Sequence, residues 1–290
     1  MRPDALLLLR VLWGTLPLTV GPALDDALTG VSTPVTAVLA VGLWLGWAAV
    51  LLGLLVPREA SLTAVRLGVP VLLVAVVWAV ARDGVVAVDL LAAAVAALTA
   101  VVAVWPTVGD RLVDGSSYGP ERRLPLRVPP SAAVAAAPLA VAAALAGVAA
   151  GPLLLAAEQW VLGALLTVIG LPLALAAARS VHALARRFLV LVPGGVVVHD
   201  PLTLTDPVLL PKGALVAVGP APVDTDAEDL TLGAGGLIVE LRLREPSELV
   251  RRHPGRHADA EVVATAAVLV APTRPGAFLA EAQERGLPIG

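Results

Sequence analysis

The sequence predicts a bundle of about six transmembrane α-helices followed by a small β-rich C-terminal domain. In that domain about seven short antiparallel strands form a barrel-like sheet capped by a C-terminal helix. Three observations carry this expectation. Hydrophobic residues make up 58% of the 290-residue chain and charged residues 15%, against about 45–50% and about 25% in ordinary soluble domains. Long apolar stretches recur up to Arg179. Beyond it they stop, and short β-branched runs between Pro/Gly turns take over.

A bilayer-crossing helix needs about 20 mostly apolar residues. Pro34–Val56, Leu62–Ala81, Val85–Trp105, Ser131–Gly151 and Pro152–Ala178 meet that requirement. Ala5–Leu24 is weaker, because it carries Arg10, Pro17 and Pro22, and it is counted as the first span. Arg10 also interrupts the apolar run that a cleaved leader would need, so this segment is expected to be retained. With both termini cytoplasmic, eleven arginines fall at inner helix ends and Arg82 alone falls outside, which obeys the positive-inside rule. The expected location is therefore the cell membrane, multi-pass, with residues 1–179 as the membrane domain and 180–290 in the cytoplasm.

Within the helices, Gly42-Leu43-Trp44-Leu45-Gly46 is a small-xxx-small pattern suited to close helix packing, which leaves a homo-oligomer open. Pro17, Pro70, Pro138 and Pro172 each remove a backbone donor and favour a kink. Trp78, Trp105 and Trp160 fall near the interfaces, whereas Trp13, Trp44 and Trp47 fall deeper, between helices.

In the C-terminal part, Phe188–Val192 and Val196–His199 flank Pro193-Gly194-Gly195 as a hairpin. Val208–Leu210 and Leu215–Val218 read as strands. Thr231-Leu232 and Gly236–Leu243 read as a second hairpin. Ser247–His257 reads as an inserted loop or helical turn, Ala264–Val270 as the last strand and Pro275–Arg285 as the closing helix.

On these residues a resemblance can be stated. The run Arg187-Phe188-Leu189-Val190-Leu191-Val192-Pro193-Gly194-Gly195-Val196 resembles the first hairpin of bacterial pleckstrin-homology-like (PH-like) domains. Val270-Ala271-Pro272-Thr273-Arg274-Pro275-Gly276-Ala277-Phe278-Leu279 is similar to their last strand and capping helix. The whole chain resembles a group of uncharacterised actinobacterial integral membrane proteins, with GSSYGPERR and HDPLTLTDPVLL as fingerprints. The resemblance implies a scaffold for protein or lipid contacts and transfers no catalytic residue.

Net charge is -3, which gives no basic face for nucleic acid. The absence of cysteine excludes disulfides, thiolate metal sites and thiol nucleophiles. His253 and His257, with Asp259 and Glu261 beyond them, have a ligand-like spacing, but Pro254-Gly255 breaks the helix that would align them. No metal and no cofactor is expected. His199-Asp200 reads as an Asp-Pro turn before it reads as a base with its orienting carboxylate. Gly233–Gly236 lacks the following helix of a dinucleotide site.

Two sets of residues remain. Asp89 and Glu158 lie on the outer side of the threading, where intramembrane acids are candidates for a proton or cation site. The competing reading places them at headgroup level. The loop GSSYGPERRLPLR is a cytoplasmic anchor whose arginines satisfy the positive-inside rule, yet an anchor does not require Ser116, Ser117 and Tyr118. These three are expected to contact the soluble domain. Arg122 and Arg123 are expected to face lipid headgroups or domain carboxylates, with Asp224–Asp229 as one partner. The expected function is non-enzymatic: a binding, scaffolding or regulatory module with the bilayer and a cytoplasmic-face protein as partners. The alternative is a small transporter or channel using Asp89 and Glu158.

Overall fold

The computed structural model describes residues 4–83, 86–252 and 260–290. The chain folds into two compact units, one of Met1–Leu112 with Ala137–His182, the other of Val113–Ala136 with Ala183–Gly290. It therefore passes between them three times. The expectation of one boundary near residue 180 gives way to a β unit built from two separate pieces of chain.

The helices are α1 (Ala5–Thr19), α2 (Gly21–Ala27), α3 (Thr33–Leu55), α4 (Glu59–Asp83), α5 (Ala87–Ala103), α6 (Pro106–Asp114), α7 (Ala137–Ala156) and α8 (Trp160–Ala185). Five helical segments are long and apolar enough to cross a membrane, counting Ala5–Ala27 as one. They number six if α5 and α6, bent by 62°, form one span. The bend falls at Pro106, which has no N–H to continue the ladder of α5. The last two spans do not divide at Pro152, as their apolar lengths suggest. Pro152 lies inside α7, and the turn comes at Glu158, where φ is +61°. The polar pair Glu158-Gln159 ends the hydrocarbon run there, whereas one missing donor at Pro152 does not.

The prolines and glycines explain how the helices pack. Pro17 cannot donate to the carbonyl of Trp13, and the indole N–H of Trp47 donates to it instead at 2.9 Å. The indole N–H of Trp13 returns a bond to the carbonyl of Trp47 at 3.0 Å, so α1 and α3 are pinned reciprocally. Nearer one end, Arg10 Nε donates to the carbonyl of Leu54 at 2.8 Å, satisfying an acceptor in the last turn of α3. Gly68 of α4 makes room for Val50 and the Trp13 ring: a Cβ there would collide with Val50 Cγ2 and stand 3.3 Å from the ring. Between α7 and α8 the close approach uses Gly147 and Gly170, where a Cβ on Gly170 would stand 2.7 Å from the Gly147 carbonyl. At Gly42 and Gly46 a Cβ meets nothing within 4 Å. The small-xxx-small pattern Gly42–Gly46 thus makes no close helix contact among the described residues, and Gly147-xxx-Gly151 and Gly170 serve that role. A π-helical turn, Ala132–Ala136, precedes α7 and widens the ladder just before Pro138.

The β unit has two four-stranded sheets, neither closed into a barrel. The first contains β1 (Arg122–Pro125), β2 (Phe188–Val192), β3 (Gly195–His199) and β4 (Val208–Pro211), in that spatial order and all antiparallel. The second contains β5 (Leu215–Pro220), β6 (Glu228–Asp229), β7 (Val239–Arg252) and β8 (Ala260–Val270), ordered β5-β7-β8-β6 with β6 parallel to β8. Helix α9 (Pro275–Glu284) follows. Both sheets and α9 contribute to one core, from Leu124, Leu189 and Leu210 through Leu241 and Val268 to Phe278. Short bridges join the sheets at Leu126↔Pro272 and Leu204↔Arg251.

Three expectations change here. The domain's first strand is β1, supplied by the loop before α7. Thr231-Leu232 is a turn with Leu232 at φ +54°, not a strand, and β6 replaces it. Ser247–Arg252 continues β7 instead of forming an inserted loop. The register of β7 against β8 shifts between Arg242 and Ser247, where Pro246 cannot donate to the ladder. The remainder of the expected insertion, with His253, His257 and Asp259, lies outside the described residues.

Candidate functional site

The loop that supplies β1 is held by side chains at both ends. Asp114, at the end of α6, collects three donors. Ser117 Oγ donates to its Oδ1 at 2.9 Å, the Arg123 backbone N–H to the same oxygen at 2.9 Å, and Arg122 pairs with Oδ2 at 2.5 Å. Arg122 Nε also lies 3.6 Å from Glu281 of α9. Just past α9, Arg285 donates to the carbonyl of Pro120 at 2.6 Å. Glu121 accepts the Tyr118 backbone N–H at 3.4 Å and lies 3.9 Å from Arg123. The turn is therefore tied to the helix before it and to α9, while Gly119 at φ +58° reverses the chain.

Tyr118 stands at the tip of this turn and is 86% exposed, so its ring is not buried against the soluble domain it is expected to contact. Ser117, Arg122 and Arg123 are engaged within the β unit, and Ser116 lies in the same turn. Asp114, Glu121 and Glu281 lie beside the arginines, and in the acidic segment Asp224–Asp229 Glu228 is paired with Arg251. The reason is β1 itself: once Arg122 and Arg123 are in a strand beside β2, their reach is set by the ladder. The Arg123 guanidinium lies 5.3 Å from the Phe188 ring, and Phe188 stacks on His199 at 4.5 Å and 3°. Cation, phenyl and imidazole thus form three layers across β1, β2 and β3.

Beneath this surface is a buried ion pair. Arg187 donates from Nε to Asp200 Oδ1 at 2.9 Å and from Nη2 to Oδ2 at 2.7 Å, with side chains 1% and 0% exposed. Arg187 Nη1 donates to the carbonyl of Arg127 at 2.8 Å, and Asp200 Oδ1 accepts the Leu202 N–H at 3.1 Å. The guanidinium thereby fastens the start of β2, the end of β3 and the chain leaving β1. Asp200 is consequently committed to Arg187 and does not orient His199, whose Nδ1 lies 2.7 Å from the Arg186 carbonyl. A signal for the pair was present. The β2–β3 register ends at Phe188↔His199, and one further step sets Arg187 opposite Asp200.

A second buried carboxylate, Glu240 on β7, takes Thr225 Oγ1 at 2.5 Å and Arg242 Nε at 2.7 Å. The hydrogen bond to Glu240, reinforced by its charge, raises the Arg242 pKa above the ordinary guanidinium value.

The two acids Asp89 and Glu158 are placed separately. Asp89 is 2% exposed in the first turn of α5, and its carboxylate accepts the Val86 N–H at 3.3 Å, as a helix N-terminus favours. Glu158 is exposed in the turn between α7 and α8. Among the described residues no hydrogen bond or ion pair joins the two. No group of three or more His, Cys, Asp or Glu side chains suited to a metal occurs among the described residues.

No family model, curated protein or solved structure matches this chain.

Proposed function

We propose that the chain is a non-enzymatic integral membrane protein of the cell membrane whose β unit is a cytoplasmic PH-like module for binding, scaffolding or regulation. The observation that supports this best is the origin of β1. A loop between two membrane-type helices supplies the edge strand of the β unit, so the unit is fastened to the helices by three chain crossings. Two largely antiparallel sheets over one core, followed by helix α9, favour the PH-like reading, and parallel β6 departs from it. The groups with chemical potential, Asp200, His199 and Glu240, have structural partners. What the β1 turn presents outward is Tyr118, an aromatic of the kind enriched at interfaces.

The test places a photoreactive residue at Tyr118 in membranes of the native cell. A discrete adduct that disappears with Asp114→Ala, which unties the turn, supports the proposal. The proposal fails if Tyr118 yields no more adduct than a control at Val223, which is 100% exposed. A second reading, a small transporter or channel, rests on the burial of Asp89. It requires that Asp89→Asn abolish a measurable proton or cation flux while the protein still assembles.

A further inference from the structure

An apolar groove of about 560 Å³ lies among α1, α2, α3 and α4 of the helical unit, inside the range of about 300–1,000 Å³ usual for small-molecule sites. Trp13, Leu43, Trp44, Trp47 and Leu72 line it, and Asp25 of α2 is the one charged side chain among its lining residues. Trp13 and Asp25 are twelve residues apart in two successive helices, at most about 18 Å at a helical rise of 1.5 Å per residue.

The charge inventory of the groove is one-sided. The indole N–H groups of Trp13 and Trp47 are both spent on backbone carbonyls, so these rings contribute π surface and no donor. Trp44 stands edge-on to Trp47 at 5.3 Å. The carboxylate of Asp25 has no hydrogen bond or ion pair among the described residues. Arg82 does not line the groove: it reaches the Thr29 carbonyl at 3.5 Å and lies 5.8 Å from the Trp78 ring. An ionised carboxylate only accepts hydrogen bonds, and indole faces attract cations. An anionic headgroup would meet a like charge without a basic partner.

We infer that this groove binds an amphiphilic cation, an apolar body carrying one positive centre, with the charge at Asp25 and the body along the tryptophans. A lipid acyl chain would use the hydrocarbon walls equally well but would be indifferent to Asp25, and that difference makes the two occupants separable.

The experiment uses the full chain in nanodiscs of zwitterionic lipid, with empty nanodiscs subtracted. The probes are tetraphenylphosphonium and tetraphenylborate, ions of similar shape and opposite charge, measured by equilibrium dialysis. Tetraphenylphosphonium is expected to bind saturably at one site. Asp25→Asn should weaken it about tenfold, equivalent to about 1.4 kcal/mol. Gly46→Leu should abolish it: Gly46 lines the groove, and a Cβ there meets no atom within 4 Å, so the added side chain has room to occupy the groove. Thermal melting in the same discs confirms that both variants are folded. The inference is overturned if the cation only partitions as it does into empty discs. It is equally overturned if Asp25→Asn or Gly46→Leu binds like the parent, or if tetraphenylborate competes as well as the cation itself.

Discussion

Removing β1 from the β unit should unfold what remains. Leu124 and the adjoining Leu126 are 1% and 3% exposed within the shared core. Truncating a buried leucine costs about 2–5 kcal/mol, so the two together supply roughly 4–10 kcal/mol. Whole domains are stable by only about 5–15 kcal/mol. Loss of β1 also strips four paired residues from β2 and removes the Arg127 carbonyl that the buried Arg187 requires. A fragment of residues 183–290 should therefore lack a cooperative unfolding transition. The same fragment preceded by residues 113–127 on a flexible Gly/Ser linker should regain one. Urea unfolding followed by circular dichroism, with amide dispersion by NMR, reads both. A fragment 183–290 that unfolds cooperatively at the same midpoint as the linked form would refute the assignment of β1 to the core.

Arg187→Met should destabilise the β unit by about 3–5 kcal/mol, because it leaves Asp200 buried and uncompensated, and Arg187→Met with Asp200→Leu should recover much of that loss; protease resistance of the full chain measures both. Gly147→Leu should lower the melting temperature in detergent, since its side chain would meet the backbone of α8, whereas Gly42→Leu should leave it nearly unchanged. The chain has no native cysteine, so an impermeant thiol reagent tests the proposed orientation directly. In intact cells Ser32→Cys should label and Tyr118→Cys should label only after the cells are opened; the reverse pattern would invert the topology.

The helices were legible because a bilayer imposes one length and one polarity on every span, and the long apolar runs between residues 5 and 178 announce both. Their ends were less so: Pro152 looked like a boundary, yet the polar Glu158-Gln159 sets it. In the β unit the hairpin of β2 and β3 was readable from Pro193-Gly194 and its flanking valines. Strand β1 was not, because Arg122-Arg123-Leu124-Pro125 has no alternation and carries the marks of a positively charged loop. Its strand character is conferred by β2, a long way along the chain. Arg187 and Asp200 were each visible with a local explanation, a juxtamembrane charge and an Asp-Pro turn, and only the hairpin register brings them together. Of the residues expected to contact the soluble domain, Ser117 is drawn to Asp114 and Tyr118 is left exposed, while Arg122, expected to face headgroups or domain carboxylates, lies beside Asp114 and Glu281.

The most direct test is whether the loop strand pairs with β2 in the intact full-length chain. Arg123 lies directly opposite Val190 in the ladder. In the cysteine-free chain, Arg123→Cys with Val190→Cys should form an intramolecular disulfide under mild oxidation in native membranes, seen as a reducible mobility shift. The off-register pair Arg123→Cys with Val192→Cys should form far less. Equal yields from the two pairs, or none from the first, would contradict a β unit completed by the loop between the membrane helices.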